Sequence, residues 1–365
     1  MEPLENILLG AVEAGASDVH IKADAPVTFR IQRELRPVDV PQPDEAWVSA
    51  VLDQIVPAHL KSRLNQDREA DFAIALPGVG RFRANVFQQR GTYVIAFRIV
   101  RTLIRNFNEL RLPEAVQRIA ESKRGIVIVA GAPGAGKSTT LAAIIEHMNS
   151  SARRHIITLE DPIEYFFEDK LSVIEQREVG LDTATFATGL RNVLRQDPDV
   201  LVIGEMRDAD SVAAAVSAAN IGALAISTLH TGDASRSIRR ILEFFPGTDR
   251  EQARRQLAAS LHAVICQKLV KTRGGQVLPA VEILINNASV AKLIESDRLD
   301  KLNGAIELGA GEGMQTFEQS LHQLVANGAI SIGEALAHAP NPDSFRMKMH
   351  GVALQESHRI LSTRG

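Results

Sequence analysis

Residues 126–138 of this 365-residue chain read IVIVAGAPGAGKS. An apolar strand ends at Ala130, the pattern G-x-x-x-x-G-K-[ST] follows over residues 131–138, and a helical stretch runs from Thr139 to Met148. Glycines let such a loop wrap so that backbone N–H groups point at phosphate oxygens. The helix behind the loop adds the partial positive charge of its N-terminus. This stretch therefore predicts an α/β fold with a phosphate-binding loop.

The loop and the first residues of the helix are the predicted nucleotide ligands: Gly131, Ala132, Pro133, Gly134, Ala135, Gly136, Lys137, Ser138 and Thr139. In this motif Lys137 should reach the β- and γ-phosphates, and the Ser138 hydroxyl should bind Mg²⁺. The expected cofactors are ATP and Mg²⁺. A chance glycine-rich turn is the alternative, and the strand and helix that flank the loop argue against it.

The region after Gly125 has the pattern of a parallel sheet. Short strands that are apolar on both sides alternate with helical stretches, which predicts a parallel sheet covered on both faces. These strands are residues 126–129, 156–159, 200–203 and 223–226. From about Asn287 onward the sequence is mostly helical, with no strong strand.

The first hundred residues have a different pattern. Apolar and polar residues alternate over residues 27–32, 70–76 and 81–86, as in strands with one buried face. A helix is predicted from Pro43 to Leu64, so this part is a small α/β domain. At roughly 150 residues per domain, the chain length suggests two domains. The predicted bounds are an N-terminal domain (1–100), a linker (101–112), a core (113–286) and a helical C-terminal region (287–365).

The composition argues against several classes of protein. Lysine and arginine total 41 against 44 aspartate and glutamate, so the formal net charge is −3, and aromatic residues make up 4%. A dedicated nucleic-acid binder usually has a basic excess and rings for stacking. Cys266 is the single cysteine, which excludes an intramolecular disulfide and a cysteine-rich zinc site. With no apolar run near about 18 residues and an acidic N-terminus, a cytoplasmic location is expected.

Acidic residues end two of the core strands. Glu205 follows the strand 200–203, and the sequence EDPIE begins at Glu160 after the strand 156–159. Ligands collect at the carboxyl ends of parallel strands, where the phosphate loop also lies. Glu205 is the predicted base that polarises the attacking water, with Glu160 as a second catalytic carboxylate; Ser138, Glu160 and Glu205 are the predicted metal ligands. Helix caps or solvated loop charges are the alternative for any one of these acids alone.

The sequence STLHT at residues 227–231 ends a fourth strand. Thr228 and His230 could sense the γ-phosphate or transmit its loss. A lone histidine at a strand end is more often a structural hydrogen-bonding residue, so both interpretations of His230 stay open.

These motifs, in this order and spacing, resemble the secretion ATPases of the type II secretion and type IV pilus superfamily. The phosphate loop, EDPIE, LRQDPD with GEMRD (residues 194–208) and STLHT carry the resemblance. It extends to ASDVH (residues 16–20) and RFRAN (residues 81–85) in the N-terminal domain. GMQTF (residues 313–317) resembles the C-terminal region of the pilus retraction motors, the PilT and PilU group.

The resemblance implies a PAS-like N-terminal domain, a RecA-like ATPase core and a homohexameric ring that binds ATP between the two domains. Hydrolysis of ATP would move one domain against the other and drive the disassembly of pilin subunits, the basis of twitching motility. The expected location is the cytoplasmic face of the inner membrane. The expected partners are other copies of the chain, a membrane platform protein of the pilus and a paralogous motor, with no nucleic acid.

The resemblance also assigns arginines to the nucleotide. The matching positions are Arg83 and Arg98, with Arg81 in support, and a second pair at Arg191 and Arg195. A permanently charged planar guanidinium suits the charge that is spread over phosphoryl oxygens. The alternative is a solvated basic strand face, since alternation puts the arginines of residues 81–86 on the side opposite the apolar residues.

Motifs of the superfamily that this chain lacks, or has in altered form, indicate which group of the superfamily it resembles. Extension and secretion motors typically have a four-cysteine zinc element and a longer N-terminal region, so the retraction side is favoured. Family members usually have a second histidine where this chain has Ala223, and residues 288–295 match the retraction motif AIRNLIRE only in part. Whatever coupling that histidine provides is missing here or supplied differently, and the altered motif favours an accessory, PilU-like or divergent paralogue. A nucleotide-binding regulator with little hydrolysis is the alternative, and the low net charge and few aromatics argue against a nucleic-acid translocase.

Overall fold

The computed structural model describes residues 2–31, 34–100 and 103–349. Among the positions predicted from sequence, Gln32, residues 101–102 of the linker and residues 350–365 lie outside this described part. The chain divides into two compact units: the first ends at Leu103 and also includes Ile163–Phe166, and the second contains the rest. The domain bounds given above stay a prediction. No helix in the described residues is long and apolar enough to cross a membrane.

The first unit is an antiparallel sheet with helices. Its strands have the order β3-β2-β1-β6-β5-β4. The elements are α1 (Glu2–Glu13), β1 (Asp18–Lys22), β2 (Thr28–Ile31), β3 (Glu34–Pro37), α2 (Glu45–Ile55), α3 (Ala58–Asp67), β4 (Glu69–Leu76), β5 (Gly80–Gln89) and β6 (Thr92–Val100). The sequence pattern did not predict α1.

The alternation in β5 has the predicted effect. Phe82, Ala84 and Val86 are fully buried, and Phe82 packs edge-on against Phe97 of β6 with ring centroids 6.3 Å apart. Because successive side chains of a strand point to opposite faces, the arginines of β5 lie on the other face of the sheet.

The predicted single helix from Pro43 to Leu64 is wrong. The structure has two helices there, α2 and α3, with Val56 extended between them. Pro57 is the reason, because a proline disfavours the helical conformation of the residue before it and has no N–H for a helical hydrogen bond. Asp44 caps α2 by accepting the N–H of Trp47 at 2.7 Å.

The second unit is built on a seven-stranded sheet of order β13-β12-β7-β11-β10-β8-β9. The strands are β7 (Gly125–Ala130), β8 (His155–Glu160), β9 (Val173–Glu178), β10 (Val200–Ile203), β11 (Leu224–Leu229), β12 (Leu261–Lys271) and β13 (Val277–Ile285). The helices are α4 (Glu114–Ala120), α5 (Lys137–Ser151), α6 (Phe186–Val193), α7 (Ala209–Asn220), α8 (Ala234–Glu243), α9 (Arg250–Ser260), α10 (Ala288–Glu295), α11 (Leu302–Leu308), α12 (Phe317–Ala326), α13 (Ile332–His338) and α14 (Pro342–Met349).

The sheet is parallel from β12 to β9, as the apolar runs predict, and the strands β10 and β11 are buried along their whole length. The prediction of an all-parallel sheet is nevertheless wrong at one edge. β12 and β13 were not predicted as strands, and they pair antiparallel. The short connection over residues 272–276 returns the chain directly, which only an antiparallel pair allows. The described residues beyond Asn287 are mostly helical, as predicted.

The order of the strands brings four carboxyl ends together. β7, β11, β10 and β8 are consecutive neighbours, with Ala130 opposite Leu229 and Ile203 opposite both Ser227 and Leu159. The loop after β7 and the residues that follow β11, β10 and β8 therefore share one edge of the sheet. In open α/β sheets this edge is where ligands bind.

One carboxylate is buried in the core of this unit. Glu282 of β13 is 5% exposed, accepts the backbone N–H of Ala234 at 2.8 Å and faces that of Phe317. Burial raises the pKa of Glu282 to about 7, and the charge of Asp233 adds to the rise, while the two backbone hydrogen bonds and Lys268 oppose it. The native state therefore holds this proton more tightly than the unfolded chain does.

Glu282→Gln should remove a pH dependence of stability. Because the native pKa lies above the ordinary value of 4.5, the free energy of unfolding of the wild type should fall as pH rises from about 4.5 to 7 and level off above it. The contribution is on the order of 3 kcal/mol over that window. Urea unfolding at pH 5, 6, 7 and 8 measures it. Ser320→Ala, a non-titrating change next to β13, should only offset the curve, and parallel curves for Glu282→Gln and wild type would contradict the assignment.

Candidate functional site

The glycines of the phosphate loop are required by its conformation and by its neighbours. Gly134 and Gly136 have φ of 77° and 86°, in the left-handed region that favours glycine. A Cβ atom on Gly131 would lie 2.7 Å from the carbonyl oxygen of Gln267, and one on Gly136 would lie 2.9 Å from its Nε2 atom. The loop therefore wraps closely against β12, and α5 begins at Lys137 directly behind it.

Gln267 of β12 is a residue of this site that the sequence analysis missed. Its side chain is buried, donates from Nε2 to the carbonyl oxygen of Ala135 at 2.5 Å, and accepts the Thr140 hydroxyl at Oε1 at 2.8 Å. One amide thus joins the loop to the first turn of α5. A polar glutamine in the apolar run AVICQ is the signal that could have identified it.

Lys137 lies at the centre of the site. Its ammonium group is buried and donates to the carbonyl oxygens of Gly131 at 2.9 Å and Ala132 at 3.2 Å. It also lies 3.1 Å from Nδ1 of His230. An ammonium group can only donate, so Nδ1 of a neutral ring accepts here and Nε2 carries the proton. Nε2 lies 3.3 Å from Oε1 of Glu205.

The structure therefore brings together three residues that the sequence analysis selected from three different strand ends: Lys137, His230 and Glu205. The other oxygen of Glu205 accepts from Nε of Arg207 at 2.9 Å. The carboxylate is held from two sides while its side chain stays 25% exposed, which leaves it open to a small molecule.

Glu160 and Thr228 are held by their own partners. The Glu160 carboxylate accepts the Thr158 hydroxyl at 2.7 Å and Nε2 of Gln176 at 3.2 Å. The hydroxyl of Thr228 donates to the carbonyl oxygen of Gly204 at 2.7 Å, so in the structure it joins β11 to the end of β10. Glu160, the last residue of β8, lies beside this point. A Cβ atom on Gly204 would lie 3.4 Å from the Cα atom of Glu160.

The arginines of the first unit form a row across its sheet. Arg83 and Arg98 lie opposite each other on β5 and β6, and Arg98 lies opposite Asp18 on β1. Nε of Arg98 donates to Asp18 at 2.9 Å, and Nε of Arg83 lies 3.5 Å from Asp71. Burial alone would raise the pKa of Asp18, but hydrogen bonds from Ser17 and Arg98 hold it below its usual value.

The remaining predicted arginines are less constrained. The guanidinium of Arg81 lies over a phenylalanine ring of the same unit, Phe166, at 5.6 Å from its centroid. Arg191 on α6 and Arg195 just after it are exposed, and within the described residues neither side chain forms an ion pair or hydrogen bond. None of the contacts among Lys137, His230 and Glu205 involves these arginines.

The oxygen ligands predicted for this site suit a metal ion that binds together with phosphates. Ser138, Glu160 and Glu205 offer hard oxygen ligands, and Mg²⁺ is usually held by one or two carboxylates together with the phosphates of its substrate. In the parts of the chain that the structure describes, no group of three His, Cys, Asp or Glu residues could hold a metal by itself.

The fold and the loop define the class as an α/β protein with a P-loop. The profile of the Type II/IV secretion system protein family matches residues 1–342, and the chain belongs to this family. It is 37% identical to a protein of Pseudomonas aeruginosa named type IV pilus retractation ATPase PilT, over 94% of this chain and 99% of that one. It is 39% identical to the type IV pilus ATPase PilU of the same organism, over 94% and 90% of the two chains.

Comparison with solved structures agrees. The crystal structure of the pilus retraction motor PilT with bound ADP superposes with a TM-score of 0.86 at 38% identity, covering 93% of this chain and 98% of that one. Within the family the chain therefore belongs to the pilus retraction group, as its motifs predict.

Gln267→Leu should destabilise the protein. The substitution leaves the buried carbonyl of Ala135 and the hydroxyl of Thr140 without their partner, so we expect the free energy of unfolding to fall by about 2 kcal/mol. Urea unfolding measures the change. Thr140→Val, which removes one of the two hydrogen bonds, is the matched control and should cost less. Equal stability of Gln267→Leu and wild type would show that the amide does not hold the loop.

Proposed function

We propose that the protein is a hexameric motor that hydrolyses ATP to ADP and phosphate and powers type IV pilus retraction. The observation that carries this proposal is that Lys137, behind a complete phosphate loop, contacts His230, which lies 3.3 Å from Glu205. Hydrolysis needs a carboxylate close to the γ-phosphate that can orient the attacking water and take its proton. The similarity to retraction ATPases over nearly the whole chain supports the task of the motor.

The site residues have distinct roles in this proposal. The backbone amides of residues 131–136 and the ammonium of Lys137 bind the β- and γ-phosphates, so Lys137 exchanges its bonds to the loop carbonyls for bonds to phosphate. Glu205 takes the proton of the attacking water. Nε2 of His230 lies 3.3 Å from Glu205, and His230 orients this carboxylate.

Ser138, Glu160 and Glu205 would hold Mg²⁺, which neutralises phosphate charge when bound. Thr139, in the first turn of α5, is the last of the proposed nucleotide ligands.

The arginines supply positive charge from outside the core. We assign Arg83 and Arg98 to the phosphates, with Arg191 and Arg195 as a second pair. Their guanidinium groups would neutralise charge on the γ-phosphoryl oxygens as the bond to the leaving group breaks. Asp18 must then share or release Arg98. The first unit takes the part of a PAS-like domain and the second that of a RecA-like core.

The proposed assembly is a homohexamer at the cytoplasmic face of the inner membrane. Its partners are a platform protein of the pilus and a paralogous motor, in the manner of PilU. Two features support the accessory role. Ala223 is buried at the start of β11, where the resemblance calls for a histidine, and α10 departs from the retraction motif. The same two features support a second candidate, a nucleotide-binding regulator with little hydrolysis of its own.

The decisive experiment is steady-state Mg-ATP turnover of the purified protein, with its oligomeric mass measured in the same buffer. Glu205→Gln should keep ATP binding and lose turnover by about a hundredfold or more, because the amide cannot accept the proton. Lys137→Ala should lose measurable ATP binding. A folded hexamer that binds ATP without turnover would favour the regulator, and unchanged ATP affinity in Lys137→Ala would remove the phosphate-loop assignment.

Arg83→Ala and Arg98→Ala should each reduce kcat by at least about tenfold and change ATP affinity much less, since their charge is needed most in the transition state. Turnover and binding of a fluorescent ATP analogue measure the two effects. Arg63→Ala is the matched control, because Arg63 is an exposed arginine of α3 that pairs only with Asp67 in the described structure. Turnover equal to wild type in both variants would dismiss the arginine roles.

A further inference from the structure

Glu282 joins two helices that begin in different parts of the second unit. Its carboxyl group accepts the N–H of Ala234, the first residue of α8, at 2.8 Å, and also faces the N–H of Phe317, the first residue of α12. The first N–H groups of a helix have no partner within the helix and carry its partial positive charge. Each of the two oxygens of this side chain can accept a hydrogen bond, so one group can face both helices at once.

The first of these helices leads directly to the candidate active site. The loop from His230 to Asp233 connects β11 to α8, and Asp233 caps α8 by accepting the N–H of Arg236 at 2.7 Å. The hydroxyl of Thr231 lies 2.6 Å from that of Ser237, which donates to the carbonyl oxygen of Asp233 at 2.8 Å. These bonds make the loop and the first turn of α8 one rigid piece, and Glu282 fixes that piece in the core.

The second helix belongs to the C-terminal region. Gln315 exchanges two backbone hydrogen bonds with Ile283 of β13, at 2.8 and 3.1 Å. The hydroxyl of Ser320 accepts the N–H of Val281 at 3.0 Å. The GMQTF segment therefore attaches α12 to β13 on both sides of Glu282.

Lys268 of β12 extends this attachment to a further helix. Its ammonium lies 4.3 Å from the centroid of the Phe317 ring and donates to the carbonyl oxygen of His338, the last residue of α13, at 3.2 Å. The C-terminal helices thus share their attachment with the residue that holds the His230 loop.

We propose that Glu282 is a positioning residue that fixes the loop of His230 and links it to the start of α12. A displacement of His230 on nucleotide binding is then transmitted through α8 and Glu282 to the C-terminal helices. This inference rests on the proposed function, because it takes His230 to act at the nucleotide. Neither leucine nor glutamine can replace the carboxylate fully: leucine has no acceptor, and glutamine would turn an N–H₂ donor toward one of the backbone N–H groups.

Turnover tests the positioning role in the full-length protein. Glu282→Leu should lower kcat for Mg-ATP about tenfold with little change in KM, and Glu282→Gln should fall between it and wild type. Ser320→Ala, which removes a buried hydrogen bond of the same interface without reaching α8, should stay within about twofold of wild type. In a His230→Ala background, Glu282→Leu should lower kcat no further, since it acts through that histidine.

An equal loss of kcat from Glu282→Leu in both backgrounds, or an equal loss from Ser320→Ala, would make Glu282 a structural residue only. If Glu282→Leu does not fold, Glu282→Gln in the two backgrounds gives the same decision.

Amide hydrogen exchange tests the link and needs binding but no hydrolysis. With ADP as the probe, wild type should change protection in residues 231–238 and in residues 315–321, whereas Glu282→Leu or Glu282→Gln should respond in the first segment only. A C-terminal response that is absent in wild type, or identical in the variants, would overturn the link. A wild type that binds ADP and shows the link without turnover would refute the proposed hydrolysis and leave the link standing.

Discussion

The register of three parallel strands is the constraint on which the site depends. β7 lies between β11 and β12, and Ala130 at its end is opposite Leu229 on one side and Cys266 on the other. The next residue of each neighbour, His230 and Gln267, therefore flanks the phosphate loop. A shift of either pairing by one residue would turn that side chain to the other face of the sheet. The hydrogen bonds of the sheet thus determine where His230 and Gln267 lie relative to the phosphate loop.

One imidazole lies between two opposite charges of the core site. The ammonium of Lys137 lies 3.1 Å from Nδ1 of His230, and the carboxylate of Glu205 lies 3.3 Å from Nε2 of the same ring. A phosphate that attracts Lys137 would change the hydrogen bond at Nδ1 and, through the ring, the contact of Nε2 with Glu205. The position of His230 explains why a histidine, with a donor and an acceptor on opposite sides of a small ring, is suited to this point.

The sequence predicted those parts of the structure that depend on one short stretch of the chain. The phosphate loop, the buried strands and the acids at their ends were predicted because each lies in one short segment. In the structure Glu205 lies 3.3 Å from His230, which contacts Lys137 of the loop. Gln267 was missed because its role depends on a strand more than a hundred residues from the loop. The strand β13 was missed because a long apolar run does not show in which direction a strand runs. The roles of the arginines stay a prediction, because they depend on residues that are far apart in the sequence, and no pattern along the chain decides which of them meet a ligand.

Each of the four edge strands of the two sheets has a residue that discourages pairing with a further strand, which matters for assembly. Arg36 on β3, Glu69 on β4 and Glu175 on β9 place charge on three edges, and Pro279 on β13 has no N–H to donate. Charged residues and proline discourage one sheet from adding strands of another. Copies of this chain should therefore meet through side chains and loops rather than by continuing a sheet. The proposed ring can then change shape without breaking hydrogen bonds between strands.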